Sequence, residues 1–419
     1  MEISPGLPRR NPMEAGYPGK TSHKIILPLL AERGEGWGVA LPESERLPIW
    51  EALMDLVGKH RRYPDAAWVM PEELIAKIED AATQLAPKNA HSLHHRLFSE
   101  QDYELFDDTK DFDEQQKKLN QKRQAAVLEI LKLDGLTGLI NIARQVAHPG
   151  TVGLALGNVE WKESDGVLLP EYLETDDKVI RDFIGNFVWG RYWSRGWPWI
   201  ESVITDRWTS GQKVSLYTFL PFGFETWRRA EATLGNDSGN FWRKVNVQPY
   251  GPQPHLLEAV ENFLHHQRPL AALVCLNRLA HEKAEFAPEL AVQALMERLK
   301  ELPSGYNHHE ILELIKWLQD NPKTNPDDLF RVEWAYLPLL DHHFDRSPKI
   351  LEKRLAESPE FFCELISVVF RSEKEDRKKA EPTELEQKVA TNACRLLHNW
   401  QQSPGTTNGP AFDGQAFSK

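Results

Sequence analysis

No run of apolar residues in this chain is long enough to cross a bilayer, and Met1 to Lys24 lacks the apolar centre of a secretory signal. Both absences point to a cytoplasmic protein with no membrane partner. Cysteine is scarce. Cys275, Cys363 and Cys394 stand far apart with no CxxC pair, which argues against a disulfide framework or a cysteine zinc site, and each is expected to serve as a small core residue. Gly-x-Ser-x-Gly and His-Glu-x-x-His are missing, and no Cys, His and acid trio stands out by spacing. No catalytic residue, cofactor or metal ligand is therefore assigned, and the expectation is a protein that is not an enzyme. Alternating apolar and polar residues, the mark of strands, are almost wanting too, so the expected class is all-α.

What is present is helix grammar, repeated. Between Gln253 and Trp400, apolar residues recur every three or four positions: Leu256, Leu257, Val260, Phe263 and Leu264; Leu270, Leu273, Val274 and Leu279; Leu290, Ala294, Leu295 and Leu299; Ile311, Leu312, Ile315 and Leu318; Leu329, Val332, Tyr336 and Leu339. Proline or a small polar residue opens most segments, where a missing N–H costs nothing and a side-chain oxygen can hold free amides. The openers are Pro254, Pro288, Asn325-Pro326-Asp327, Ser347-Pro348, Ser358-Pro359-Glu360 and the box from Thr383 to Glu386. The pattern predicts a stack of short antiparallel helices. With 419 residues the chain exceeds one compact core, so an array extending in one direction, or two domains, is required.

Residues 1–23 are dense in Pro and Gly and read as a mobile leader. Ile25 to Leu30 and Trp37 to Leu41 are apolar runs that suit packed turns or a small hairpin. Helical spacing begins at Trp50, Leu53, Met54 and Val57, with Ser44 as the expected cap, and resumes after Pro71 with Leu74, Ile75 and Ile78. Phe98 to Asp113 reads as a loop or an exposed segment. A longer helix from about Glu114, apolar at Leu119, Ala126, Val127, Ile130 and Leu131, should stop at Gly135. Its partner carries Leu136, Leu139, Ile140, Ala143 and Val146, and a short helix from Val152 to Leu156 follows. Asp177 opens a strong register at Val179, Ile180, Phe183, Ile184, Phe187 and Val188. The division expected is an N-terminal helical region at 24–175, a Trp- and Arg-rich segment at 176–252, a C-terminal helical array at 253–402 and a flexible tail at 403–419. Since the units are alike in size but show no fixed period, the predicted architecture is an irregular α-solenoid of antiparallel helix pairs.

Three features carry chemistry. Gly16-Tyr17-Pro18-Gly19-Lys20-Thr21 ends like a phosphate-binding loop, but Glu14 stands where the first glycine belongs and Pro18 removes an amide, so a nucleotide site is not expected. Histidines cluster at His91, His94 and His95, at His265-His266, at His308-His309 and at His342-His343. His91 and His95 could chelate one metal from a helix, and Asp341, His342, His343 and Asp345 form a compact donor set. Adjacent helical residues diverge by about 100°, though, and nothing supplies the remaining ligands. A metal-dependent hydrolase built on Asp341 to Asp345 is the alternative this leaves. The third feature is the Trp-rich segment. Seven of the fourteen tryptophans, at 189, 193, 197, 199, 208, 227 and 242, fall between Arg181 and Lys244, where nine Lys or Arg face six Asp or Glu. Tryptophan and arginine dominate binding hot spots, so Trp193, Arg195, Trp197, Trp199, Trp227, Arg228 and Arg229 are the candidate protein-binding residues, provided they are exposed; the competing expectation is that large aromatics fill helix seams. Single-stranded nucleic acid could also stack on such aromatics, but a net charge of −12 argues against it.

Several phrases, Lys122-Arg123-Gln124-Ala125-Ala126 leading to Asp134-Gly135-Leu136, Leu220-Pro221-Phe222 followed by Trp227 and Phe241-Trp242, and Val332-Glu333-Trp334 with Tyr336-Leu337-Pro338-Leu339-Leu340, resemble packing phrases of helical-repeat proteins. They look like the tetratricopeptide- or HEAT-like regions of large bacterial multidomain proteins, some with an ATPase or effector domain toward the N-terminus. The resemblance covers most of Ile25 to Trp400 and concerns packing; because stacked helix pairs create an extended concave surface, protein recognition as a scaffold or sensor is the expected function, and the loose leader and abrupt tail raise the expectation that this chain is part of a longer polypeptide.

Overall fold

The computed structural model describes residues 41–63, 65–99, 112–161, 164–204, 207–249, 254–301, 308–340, 347–370 and 383–402. Outside these lie the Gly16 to Thr21 sequence, the apolar run from Ile25 to Leu30, nearly all of the run from Trp37 to Leu41, and the donor set from Asp341 to Asp345. Among the described residues every regular element is a helix, as the lack of strand alternation predicts. Internal contacts divide the chain into two compact units, Met1–Asp206 and Arg207–Lys419, with the boundary inside the Trp- and Arg-rich stretch.

The first unit contains α1 (Glu43–Arg62), α2 (Glu72–Leu85), α3 (Ala90–Ser99), α4 (Phe112–Gln145), α5 (Pro149–Gly157), α6 (Ser164–Tyr172) and α7 (Lys178–Val203). Ser44 does not cap α1. The helix starts one residue earlier, and the Pro42 carbonyl takes the amides of Glu45 and Arg46, so no side-chain oxygen is needed. Leu53, Leu56 and Val57 of α1 bury against Ile75, Ile78, Ala82 and Leu85 of α2. Phe98, expected in an exposed segment, is instead fully buried at the end of α3, with Thr151 Oγ1 donating to its carbonyl at 3.3 Å. Gly135 breaks α4 where the sequence predicts, adopting φ 64°, ψ −159°, a conformation that a side chain opposes.

Helices α5 and α7 approach unusually closely. Gly150, Gly153 and Gly157 recur at helical spacing along α5 and meet α7 at Asn186, at Phe183 and Phe187, and at Gly190. A Cβ at Gly153 would overlap the Phe183 carbonyl oxygen and stand 2.8 Å from its carbon. With no side chain in the way, backbone packs on backbone and the dispersion contacts of both helices are gained at short range. Asp177 starts α7 as expected, its carboxylate accepting from the amides of Val179 and Ile180.

The second unit runs through α8 (Ser210–Thr218), α9 (Phe224–Leu234), α10 (Ser238–Lys244), α11 (Leu256–His265), α12 (Pro269–His281), α13 (Pro288–Arg298), α14 (His308–Asp320), α15 (Pro326–Leu340), α16 (Lys349–Glu357), α17 (Pro359–Val369) and α18 (Glu384–Gln402). Most contacts join helices adjacent in sequence or one apart, as in α11 with α12, α12 with α13 and α14, and α17 with α18. Several openers work as read. Ser358 accepts from the Phe361 amide, Asn325 from the Asp327 amide, and Thr383 with Glu386 forms the reciprocal capping box. Pro254 does not open α11; His255, in the left-handed region at φ 67°, takes that place. Leu299 follows the last turn of α13 and is exposed. Of the three cysteines only Cys275 is a core residue, because Cys363 and Cys394 fall on the solvent side of α17 and α18.

Candidate recognition surfaces

In the first unit, the candidates lie on α7 around a second break, where Gly196 takes φ 67°, ψ −161° just before Pro198. Four aromatic rings pack edge to face in a chain: Trp189 on Trp193 at 5.8 Å, Trp193 on Tyr192 at 6.3 Å, and Tyr192 on Trp197 at 5.2 Å. Trp193 projects from this set with 66% of its surface exposed, while Trp189, Tyr192 and Trp197 are half-buried. The half-buried rings fix the exposed one, so little rotamer freedom remains to be lost on contact. Arg195, two positions on, is also exposed, with its guanidinium 3.9 Å from Asp165.

Trp199 is a core residue, 5% exposed, and its indole N–H donates to Asp165 Oδ2 at 2.8 Å. It cannot reach a partner. The other oxygen of Asp165 accepts from Arg191 Nε at 3.0 Å, and Arg191 is wholly buried. Its Nη1 donates to the carbonyls of Gly157 and Val159, the former the last residue of α5, and its Nη2 donates to Trp161. Burial pushes the guanidinium pKa down, opposed by the Asp165 charge. Asp165 and Arg191 thus form the most elaborate polar centre of this unit, and its work is structural: it closes the end of α5 and seats Trp199. Neither residue stands out in the sequence, since a lone Asp and an Arg 26 positions apart carry no local signal.

In the second unit Trp227 is fully buried, in a cluster with Phe222 at 4.8 Å and Trp242 at 5.7 Å, with Phe263 closing on Trp242 at 5.3 Å. Here the seam-filling expectation holds and Trp227 is no contact residue. Its indole N–H has no acceptor among the described residues. Arg228 is exposed, pairs with Glu231 at 3.4 Å and lies over the Phe224 ring. Arg229 is tied to Glu225 one turn back. Both are engaged in surface pairs of the kind that contribute little to stability.

Histidines are scattered. On α3, His91 and His95 have ring centres 6.4 Å apart, with His95 Nε2 at 3.3 Å from the Gln145 carbonyl oxygen, while His94 pairs with Glu129 at 2.9 Å. Among the described residues no group of three or more His, Cys, Asp or Glu is placed to hold a metal ion, and no helix is long and apolar enough to cross a membrane. Two shallow depressions lie on the last helices, one along α17 at Pro359, Cys363 and Ser367, the other at Val369, Cys394 and His398. Compared with known protein families, with curated proteins and with solved structures, the chain matches none.

Proposed function

We propose that this chain is a protein-recognition scaffold or sensor region, an irregular α-solenoid of antiparallel helix pairs akin to tetratricopeptide or HEAT arrays, acting in the cytoplasm within a larger bacterial assembly or polypeptide. The observation that carries the reading is Trp193, a large aromatic left exposed on a base of half-buried aromatic rings. Aromatic anchors of this type supply most of the binding energy in protein interfaces. The preference for contacts between neighbouring helices supports the array, because in such proteins each unit packs mainly on the next.

Removing Trp193 tests the idea directly. The tagged chain and its Trp193→Ala variant are expressed in the host, captured, and compared for a companion held at fixed stoichiometry. The expected result is loss of that companion in the variant, with an unchanged melting temperature because the ring is mostly in water. Equal recovery from both would reject Trp193 as the anchor.

A further inference from the structure

We propose that Cys394 and His398 of α18 are half of a binding site for a zinc-type divalent cation, which the same two residues of a second copy of this chain complete. Both side chains are exposed on the last helix of the second unit, and they stand four positions apart, one turn along the same face. Side chains on an α-helix lean toward its N-terminus, so the imidazole of His398 can swing back over the thiol of Cys394. Cβ atoms at this spacing are about 5–6 Å apart, and a sulfur and a ring nitrogen on one tetrahedral zinc stand about 3.6 Å apart, a gap the two side chains close without moving the helix. Both line one depression of about 570 Å³, together with Thr391 and Asn399 of α18 and Val369 at the end of α17. It is shallow, so a facing helix can reach an ion held there.

One chain supplies only two ligands. Among the described residues no group of three or more His, Cys, Asp or Glu is placed to hold an ion, whereas a closed zinc site takes four. A twofold axis through the depression brings the missing pair from the identical face of another copy, giving a set of two cysteines and two histidines. Charge asks for both thiols as well. Arg395 borders the same depression, and an ion carrying one thiolate would leave net positive charge beside it. Two thiolates cancel the charge of the ion, each thiol releasing its proton to solvent as its sulfur binds. The rest of this face is polar, with Thr391 one turn and Gln387 two turns back exposed, so little apolar surface is covered between the copies and the ion holds them together. Cys363 offers the contrast: it is exposed on α17, shares its depression with Glu360 and Glu364, and has no histidine within one turn. The site is independent of the Trp193 surface.

The full chain, reduced and stripped of metal, is titrated with cobalt(II), whose visible absorption becomes intense when thiolates hold it tetrahedrally, while light scattering follows the mass. The absorption is expected to saturate at one ion per two chains as the mass doubles, and a chelator should return the starting mass. Zinc should produce the same doubling. Cys394→Ser and His398→Ala should each lose both responses and leave the melting temperature of the metal-free chain unchanged, because both side chains are exposed. Cys363→Ser should keep both responses. Absorption that survives Cys394→Ser overturns the proposal. So does saturation at one ion per chain with no change of mass, or the absence of any tetrahedral spectrum.

Discussion

Gly153→Ala puts one methyl group where α5 and α7 touch. The new carbon would overlap the Phe183 carbonyl oxygen, stand 2.8 Å from the Phe183 carbonyl carbon and 3.1 Å from the Phe187 amide nitrogen. All three are backbone atoms, so no rotamer change relieves the clash and the helices must separate. Overpacking of this kind typically costs about 1–3 kcal/mol, and backbone contacts put this case at the upper end. Alanine returns about 1 kcal/mol as the better helix former, leaving a net loss of about 2 kcal/mol. For a unit of this size that lowers the melting temperature by about 4–8 °C. Gly166, exposed on α6 with no atom within 4 Å of where an alanine methyl would sit, supplies the matched comparison. Gly166→Ala gains the helix propensity alone and should raise the midpoint by about 2–4 °C. Thermal unfolding followed by circular dichroism reads both variants. A Gly153→Ala protein melting at or above the parent would refute the close approach, whatever Gly166→Ala does.

Glu333 is fully buried on α15, where Gln319 donates to it at 2.6 Å and the first amides of α16, from Ile350 and Leu351, donate at 2.9 and 3.0 Å. Burial lifts its pKa from 4.5 to about 7 despite those three donors, so between these values the folded chain keeps a proton that the unfolded chain has lost. Its contribution is complete below pH 4.5 and disappears as pH rises through 7, a change of about 3 kcal/mol at 1.36 kcal/mol per unit. Urea midpoints of the parent should fall across that window relative to those of Glu333→Gln; parallel curves would count against it. Asp165→Ala leaves the buried Arg191 guanidinium without that carboxylate and should destabilise by about 3–5 kcal/mol, whereas Asp165→Asn, which keeps one acceptor oxygen while its NH2 group faces the other donor, should lose somewhat less. Equal losses for the two would show that the carboxylate's charge, and not merely a polar side chain at that position, is what Asp165 provides.

Local signals in this sequence report local structure. Gly135, Asp177, Ser358 and the pair Thr383 and Glu386 act within a few residues of themselves, and each does what its chemistry suggests. Burial of a given tryptophan is a different matter, since it depends on which helix arrives from elsewhere. Trp193 and Trp199 sit six positions apart on one helical stretch, yet one is in water and the other bonds to Asp165 from α6. Trp227 likewise disappears between Trp242 and Phe222. Periodicity overreached at Leu299, where the pattern outlasts the helix, and cysteine's usual preference for the core misplaced Cys363 and Cys394. The use of the glycines at 150, 153 and 157 cannot be read without the partner helix, because nothing in their own stretch names what they approach.

Three buried or half-buried arginines share a habit. Arg123 reaches back to the Leu97 carbonyl in α3, Arg191 to those of Gly157 and Val159 at the end of α5, and Arg268 to those of Trp242 and Val245 at the end of α10. In each case the arginine follows the carbonyl by 23 to 34 residues. On the ribosome, then, each of these helices emerges before the side chain that satisfies its far end has been made. At translation rates of about 5–20 residues per second, that end waits about one to several seconds for its donor. Synthesis fastens the chain from its N-terminus onward, one clasp behind the nascent tip.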